Sequence, residues 1–142
     1  MSNKENIFGK NGKHIHVTCA IIEKNGLVMA AQRSSDMSLP LKWEFPGGKI
    51  RPNEDKEDCL YREISEELGI QISTSKPLEP ATHDYPTFTI TLYPFICSII
   101  AGEMKLHEHA AVTWLPPERL KTLDWADADL PVLAAYCRQL KN

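Results

Sequence analysis

The spacing of apolar and polar positions changes along the chain, and each change marks a new element. In "HIHVTCAIIEKNGLVMAAQRSS", Val17, Cys19 and Ile21 alternate with polar or small neighbours, then Leu27 to Ala31 run mostly apolar. Two strands joined at Asn25-Gly26 account for this pattern, because that dipeptide accepts the left-handed backbone of a tight hairpin turn. "SSDMSLPLKWEFPGGKIRPNE" carries three prolines and a Gly-Gly pair, which exclude a long regular element. From Asp55 the period becomes helical: Leu60, Ile64 and Leu68, with Tyr61, form a core-facing stripe. Asp55 is placed to cap this helix, Glu57 and Asp58 suit its positive end, and Gly69 stops it. "PATHDYPTFTITLYPFICSII" reads as β structure broken by a turn at Tyr85-Pro86-Thr87, and "AAVTWL" as a short strand. Pro116-Pro117 opens a helical turn, and "DADLPVLAAYCRQL" closes the chain as a helix with Leu130, Leu133, Ala134 and Cys137 on its inner side.

The resulting order is strand, strand, loop, helix, strands, helix. That predicts one mixed α/β domain over residues 13–142, without the strand–helix alternation of a dinucleotide-binding fold. With 142 residues, 42% apolar and 25% charged, the chain is long enough to bury one real core. A formal charge of −3 gives no basic footprint for a nucleic acid polymer. The four cysteines, Cys19, Cys59, Cys97 and Cys137, are scattered among apolar neighbours and read as buried free thiols. Residues 1–12 lack the apolar stretch of a signal peptide and read as a mobile tail. No apolar run is long enough to span a bilayer, so the expectation is a cytoplasmic protein without a membrane partner.

One stretch departs from ordinary helix design. "LYREISEELGI" puts Glu63, Glu66 and Glu67 directly behind Arg62, although like charges three and four residues apart repel on a helix. At about 100° per residue, Glu67 lies near +40° and Glu66 near −60° from Glu63, so the three share one sector. The stripe of Leu60, Ile64 and Leu68 is centred about 100° away, which places the carboxylates beside the core rather than opposite it. A solvated acidic face accounts for them, and so does a seat for a hard cation such as Mg2+ or Mn2+, which prefers oxygen ligands. Upstream, Gly47 and Gly48 allow a close backbone approach or a sharp turn. Arg62 has the forked geometry to pin a carboxylate and hold the loop against the helix.

Residues 48–70, "GKIRPNEDKEDCLYREISEELGI", match the pattern G-x5-E-x7-R-E-U-x-E-E-x-G-U, with U a bulky aliphatic, at all nine constrained positions. On this match the chain resembles the Nudix family. The resemblance implies an α/β/α sandwich, a mixed sheet between helices, and hydrolysis of a nucleoside diphosphate linked to another moiety with Mg2+ or Mn2+. It further implies metal ligation by Glu63, Glu66 and Glu67, joined by the backbone carbonyl of Gly47. Arg62 and Glu54 would orient helix and loop, and Gly48 would shape the loop.

"AAQRSSDMSLPLKWEFPGGKI" and "LHEHAAVTWL…DADLPVLAAY" resemble the flanking segments of the MutT-type branch, so the likeness spans about residues 14–140. That branch implies a small-molecule nucleoside triphosphate as substrate, 8-oxo-dGTP first and (d)CTP or a modified dCTP next. An ADP-ribose or dinucleoside polyphosphate hydrolase and a non-catalytic nucleotide-sensing module are the further alternatives, and a monomer or a homodimer is compatible. Glu108, six residues before Trp114, takes the position of a metal- and water-assisting glutamate and the general-base role. His107 and His109 are expected to face solvent. Asp129, two residues before Pro131, stands where the branch places an asparagine against the base. Phe45 and Trp43 are candidates for stacking on the base or for the core. Arg33 matches a phosphate- or base-side arginine, or else is a surface charge at a strand end.

Overall fold

A computed structural model describes residues 13–141. The tail expected at residues 1–12 lies outside the described residues. Eight strands make one mixed sheet: β1 (Lys13–Lys24), β2 (Leu27–Gln32), β3 (Trp43–Glu44), β4 (Gly47–Lys49), β5 (Ile70–Pro77), β6 (Ala81–Tyr85), β7 (Phe88–Gly102) and β8 (Ala111–Leu115). Helix α1 (Lys56–Leu68) follows β4 and α2 (Leu130–Leu140) ends the chain, preceded by 3₁₀ turns at Pro117–Thr122 and Asp127–Asp129.

β1 organises the sheet. It runs parallel to β7 from Lys13↔Phe88 to Ile22↔Cys97, and antiparallel to β4 at Val17↔Lys49, Thr18↔Gly48 and Cys19↔Gly47. At its far end it turns into β2 through Asn25 and Gly26, whose φ angles of 53° and 78° are both left-handed, as the hairpin requires. β2 is flanked by β3 and β8, while β7 carries β5 and β6. The irregular stretch after β2 therefore contributes two very short strands, and Pro86-Thr87 is the turn between β6 and β7. β5 escaped the sequence reading because only Ile70 and Ile72 of its eight residues are buried, which leaves too short an alternation to register.

Residues alternating along β1 feed two cores. Ile15, Val17, Cys19 and Ile21 pack with Leu120, Trp125, Val132, Leu133 and Tyr136 on one face. Ala20 and Ile22 pack with Leu60, Ile64 and Leu68 of α1 on the other. The sheet is thus covered by helices on both faces, as expected. No helix among the described residues is long and apolar enough to cross a membrane.

Two helix faces differ from the reading of their apolar stripes. α2 buries Val132, Leu133 and Tyr136, whereas Leu130 and Ala134 are exposed. The bulky Tyr136 sets the inner face, and its hydroxyl donates to Glu23 of β1. On α1, Tyr61 is exposed and Cys59 is buried. With Cys59, Glu63 and Glu67 all inside, the buried arc runs from about −40° to about +140° around the helix, so its middle falls near Glu67. Asp55 occupies the N-cap position without a side-chain cap bond, and Gly69 ends the helix at φ 69°. Cys19, Cys59 and Cys97 are buried free thiols, and Cys137 is half-buried.

Gly26→Ala at the hairpin is expected to lower stability by about 1 kcal/mol, because a Cβ disfavours positive φ even where space is open. Urea unfolding of the variant against wild type, with activity retained, is the measurement.

Candidate active site

The glycine pair of β4 sits where β1 and α1 crowd the backbone from both sides. A Cβ on Gly47 would lie 1.8 Å from the Thr18 carbonyl oxygen, and one on Gly48 would lie 2.1 Å from Cδ of Glu63. Neither glycine has a positive φ, so close approach, not backbone freedom, demands them. The space left by Gly48 is filled by the carboxylate of Glu63. Beneath them, the Cys59 thiol contacts Thr18 Oγ1 at 3.3 Å and the carbonyls of Gly48 and Lys49, and burial pushes its pKa up to about 11.

Arg62 fastens the loop to the helix. Its Nε and Nη2 donate to the two oxygens of Glu54 at 2.8 Å each, Nη1 donates to Glu63 Oε2 at 2.7 Å, and Nη2 also reaches the Lys49 carbonyl at 3.3 Å. The Arg51 backbone N–H adds a bond to Glu54 at 3.0 Å. Charge-assisted bonds of this kind hold Glu54 ionised, with its pKa lowered to about 2, chiefly by Arg62.

The three helix glutamates are sorted by their angle from the buried arc. Glu63 and Glu67 have fully buried side chains, whereas that of Glu66 is 40% exposed and lies 3.6 Å from Arg62 Nη1 at the solvent edge. Glu67 is the anomalous member. Neither of its oxygens has a hydrogen-bond partner among the described residues, and no salt bridge shorter than 3.9 Å reaches it. Burial drives its pKa well above the usual carboxylate range, and Glu44, Glu63 and Glu108 push in the same direction. A hydrogen bond with Glu63 acts in the same direction, because it is open to Glu67 only when one of the two carboxyls carries a proton. A buried carboxylate surrounded by three others, with no donor on either oxygen, has the chemistry of a cation ligand. No three such side chains among the described residues form a preformed metal cage.

Glu108 enters from a loop locked against the C-terminal end of α1. Lys105 N–H and His107 N–H donate to the last helix carbonyls, Leu68 and Glu67, at 2.9 and 3.2 Å. Ala110 N–H then donates to the Gln32 carbonyl of β2 at 2.9 Å. Between these ties Glu108 comes near enough for its charge to act on Glu67, and His107 is exposed as expected.

His109 corrects the expectation of a solvent-facing imidazole. Its side chain is fully buried, with Nε2 2.7 Å from Glu44 Oε2. The loop's attachment on both sides turns the ring inward, a constraint that adjacent-residue alternation does not carry. Arg33 is likewise 1% exposed, where a surface charge or substrate-side group was considered: Nη1 pairs with Glu44 Oε1 at 2.9 Å and Nε donates to the Ser38 carbonyl at 2.6 Å. Phe45 packs in the core against Trp125, ring centres 4.6 Å apart, rather than presenting a face for stacking, and Trp43 is half-buried beside that core. Asp129 is buried, and its Oδ2 accepts the Phe45 backbone N–H at 2.9 Å. Arg33, Glu44 and Asp129 meet on the walls of a cavity of about 20 Å3, room for about one water. Glu44 and His109 were missed as site residues. Glu44 stands in a stretch that reads as irregular, and the His107-Glu108-His109 triplet gives neither ring a direction, so nothing names the two as partners.

The NUDIX domain family matches residues 12–136. The chain belongs to the Nudix family. It is a Nudix hydrolase acting on phosphorus-containing acid anhydrides, a family that generally uses divalent metal ions. It is 35% identical to the CTP pyrophosphohydrolase of Escherichia coli strain K12, over 87% of this chain and 92% of that protein. It is 30% identical to the 8-oxo-dGTP diphosphatase of the same organism, over 89% and 98% of the two chains. Among solved structures, that of the MutT protein of methicillin-resistant Staphylococcus aureus 252 superposes with a TM-score of 0.73 at 37% identity, covering 90% of this chain and 98% of that one.

Because the folded-state pKa of Glu54 is depressed, its pairing with Arg62 stabilises the fold above the unfolded carboxyl's pKa of about 4.3. That contribution is lost as pH falls toward about 2. Glu54→Gln is therefore expected to lower the melting temperature at neutral pH, with the gap from wild type closing between about pH 4.5 and pH 2. Thermal melts across that range check it; a constant gap speaks against the pairing. Gly48→Ala is expected to lose activity with Glu63 displaced, since the new Cβ falls inside the Glu63 carboxyl.

Proposed function

We propose that the protein is a Mg2+-dependent nucleoside triphosphate pyrophosphohydrolase of MutT type, with 8-oxo-dGTP as leading substrate. The observation that carries this reading is Glu67: a buried carboxylate without a donor, set beside Glu63 and Glu108. Glu63, Glu66, Glu67 and Glu108, with the Gly47 carbonyl, would hold the ion. When bound, Mg2+ or Mn2+ lowers the pKa of a coordinated water and offsets charge on the phosphate oxygens.

The chain's own groups supply the rest. Arg62, braced by Glu54, holds Glu63 in a single direction and keeps the β4 loop against the helix. Glu108, whose charge acts on Glu67, would accept the proton of the attacking water. Attack at the β-phosphorus breaks its bond to the bridging oxygen, which leaves with the nucleoside monophosphate, and pyrophosphate is released. On this reading the protein sanitises the nucleotide pool, outside DNA itself.

The base end is where a second reading arises. Asp129 only accepts hydrogen bonds when ionised, so it meets the amino group of cytosine as well as the N1–H and amino group of an oxidised guanine. The likeness to a CTP pyrophosphohydrolase favours (d)CTP on the same ground. Either base needs the walls around Asp129 to part, since the present cavity admits only a water.

Glu67→Gln is expected to lower turnover by about a hundredfold or more while melting near the wild-type temperature. Near-wild-type turnover in that variant, read as phosphate released through added pyrophosphatase, would sink the site assignment. Among 8-oxo-dGTP, dCTP, CTP and ADP-ribose, the highest kcat/KM is expected for 8-oxo-dGTP. Preference for dCTP or CTP selects the second reading, and preference for ADP-ribose rejects both.

A further inference from the structure

His109 joins two parts of the molecule that its neighbours leave separate. On one side its Nε2 meets Glu44 Oε2 at 2.7 Å, and Glu44 is held from behind by Arg33 Nη1 at 2.9 Å. On the other side its Nδ1 faces Glu67 Oε1 at 3.9 Å, beyond hydrogen-bond distance. Arg33, Glu44, His109 and Glu67 thus form one buried row, with side chains between 0% and 2% exposed. The row begins at the cavity lined by Arg33, Glu44 and Asp129 and ends on the helix that carries Glu63 and Glu67.

The chain path makes this ring a fixed spacer. Two residues before it, His107 N–H is bonded to the carbonyl of Glu67; one residue after it, Ala110 N–H is bonded to Gln32 of β2. β2 pairs Ala31 with Glu44 on one side and with Val112 on the other, so the same strand sets the positions of both partners. The imidazole is therefore anchored to the helix and to the sheet, and it stands between two buried carboxylates that repel each other. Removing it takes the Nε2 bond from Glu44 Oε2 and the ring from beside Glu67 Oε1.

We propose that His109 is a positioning residue: it holds the Glu67 carboxylate at its distance from Glu44 and thereby links the cation seat to the Arg33–Glu44 end of the site. The inference rests on the reading of Glu67 as a cation ligand. It assigns His109 no contact with substrate. Its effect is exerted through the direction of Glu67, as partners behind metal ligands act elsewhere.

Mn2+ titration of the protein without nucleotide, followed by the paramagnetic resonance of free Mn2+, reads the seat directly. His109→Ala is expected to raise the Mn2+ dissociation constant by about 10- to 100-fold and to lower kcat by a similar factor. KM for the nucleotide is expected to move by less than about threefold, since no substrate contact is lost. His109→Gln, which keeps an N–H for Glu44, is expected to recover most of both losses. Glu44→Gln is expected to weaken Mn2+ binding in the wild type but to add nothing in the His109→Ala background, because the link is already cut. If His109→Ala does not fold, as thermal unfolding will show, His109→Leu, which fills the space but offers Glu44 no N–H, provides the same comparison with and without Glu44→Gln. Wild-type Mn2+ affinity and kcat in His109→Ala, or in His109→Leu where it takes its place, or additive effects of the two sites, overturn the proposal. Glu67→Gln separates the two levels: lost Mn2+ binding there with unaffected His109 variants rejects the positioning role alone. Retained binding and turnover in Glu67→Gln reject the reading of the site and this inference with it.

Discussion

The guanidinium of Arg62 is the interaction on which the site depends. One planar group donates twice to Glu54, once to Glu63 and once to the Lys49 carbonyl, so loop, strand and helix meet at a single side chain. A lysine in its place has the charge without the fork, and it cannot hold three acceptors in one plane. With Arg62 fixed, Glu63 is turned over Gly48, and α1 is held at the one distance that two glycines permit. Everything else in the site is arranged around that helix position.

The arrangement carries an electrostatic cost that stability alone does not explain. Glu67 lies near the middle of the buried face of α1, with burial and three carboxylates acting against its charge. Arg62 engages Glu63 and Glu54, and Arg33 engages Glu44, yet neither cation reaches Glu67. The carboxyl group left without a donor is thus Glu67, at the junction of α1 with the loop that carries Glu108. Active sites are where such perturbed groups collect, because a ligand supplies the missing partner.

The helix periodicity revealed the acidic sector, and the spacing from Gly48 through Glu54 to Arg62 identified the loop and helix as one device. Element types along β1, β2, α1, β8 and α2 were legible for the same reason: apolar residues repeat at the period of the element they build. Tyr61 and Leu130 show the limit of that signal. A stripe of large apolar side chains does not reveal where the buried arc ends, and here Cys59 and two glutamates extended it away from Tyr61. Phe45, Arg33 and Asp129 were found as candidates by position along the chain, but their burial, and the small cavity they border, come from packing against β2, Trp125 and the turn at Asp127–Asp129.

Local sequence by itself determined the hairpin at Asn25-Gly26, helix α1 with its acidic sector, the glycine pair and the family. Each depends on residues within one segment, where backbone preference and spacing act directly. Tertiary structure alone decided which carboxylate lacks a donor and which histidine is internal. His109 and Glu44 are 65 residues apart and meet only because β2 lies between β3 and β8. The loop before β8 reaches Glu67 through backbone bonds to the end of α1, about forty residues earlier in the chain. Burial and pairing across such distances are properties of the assembled layers, and no period along the chain encodes them.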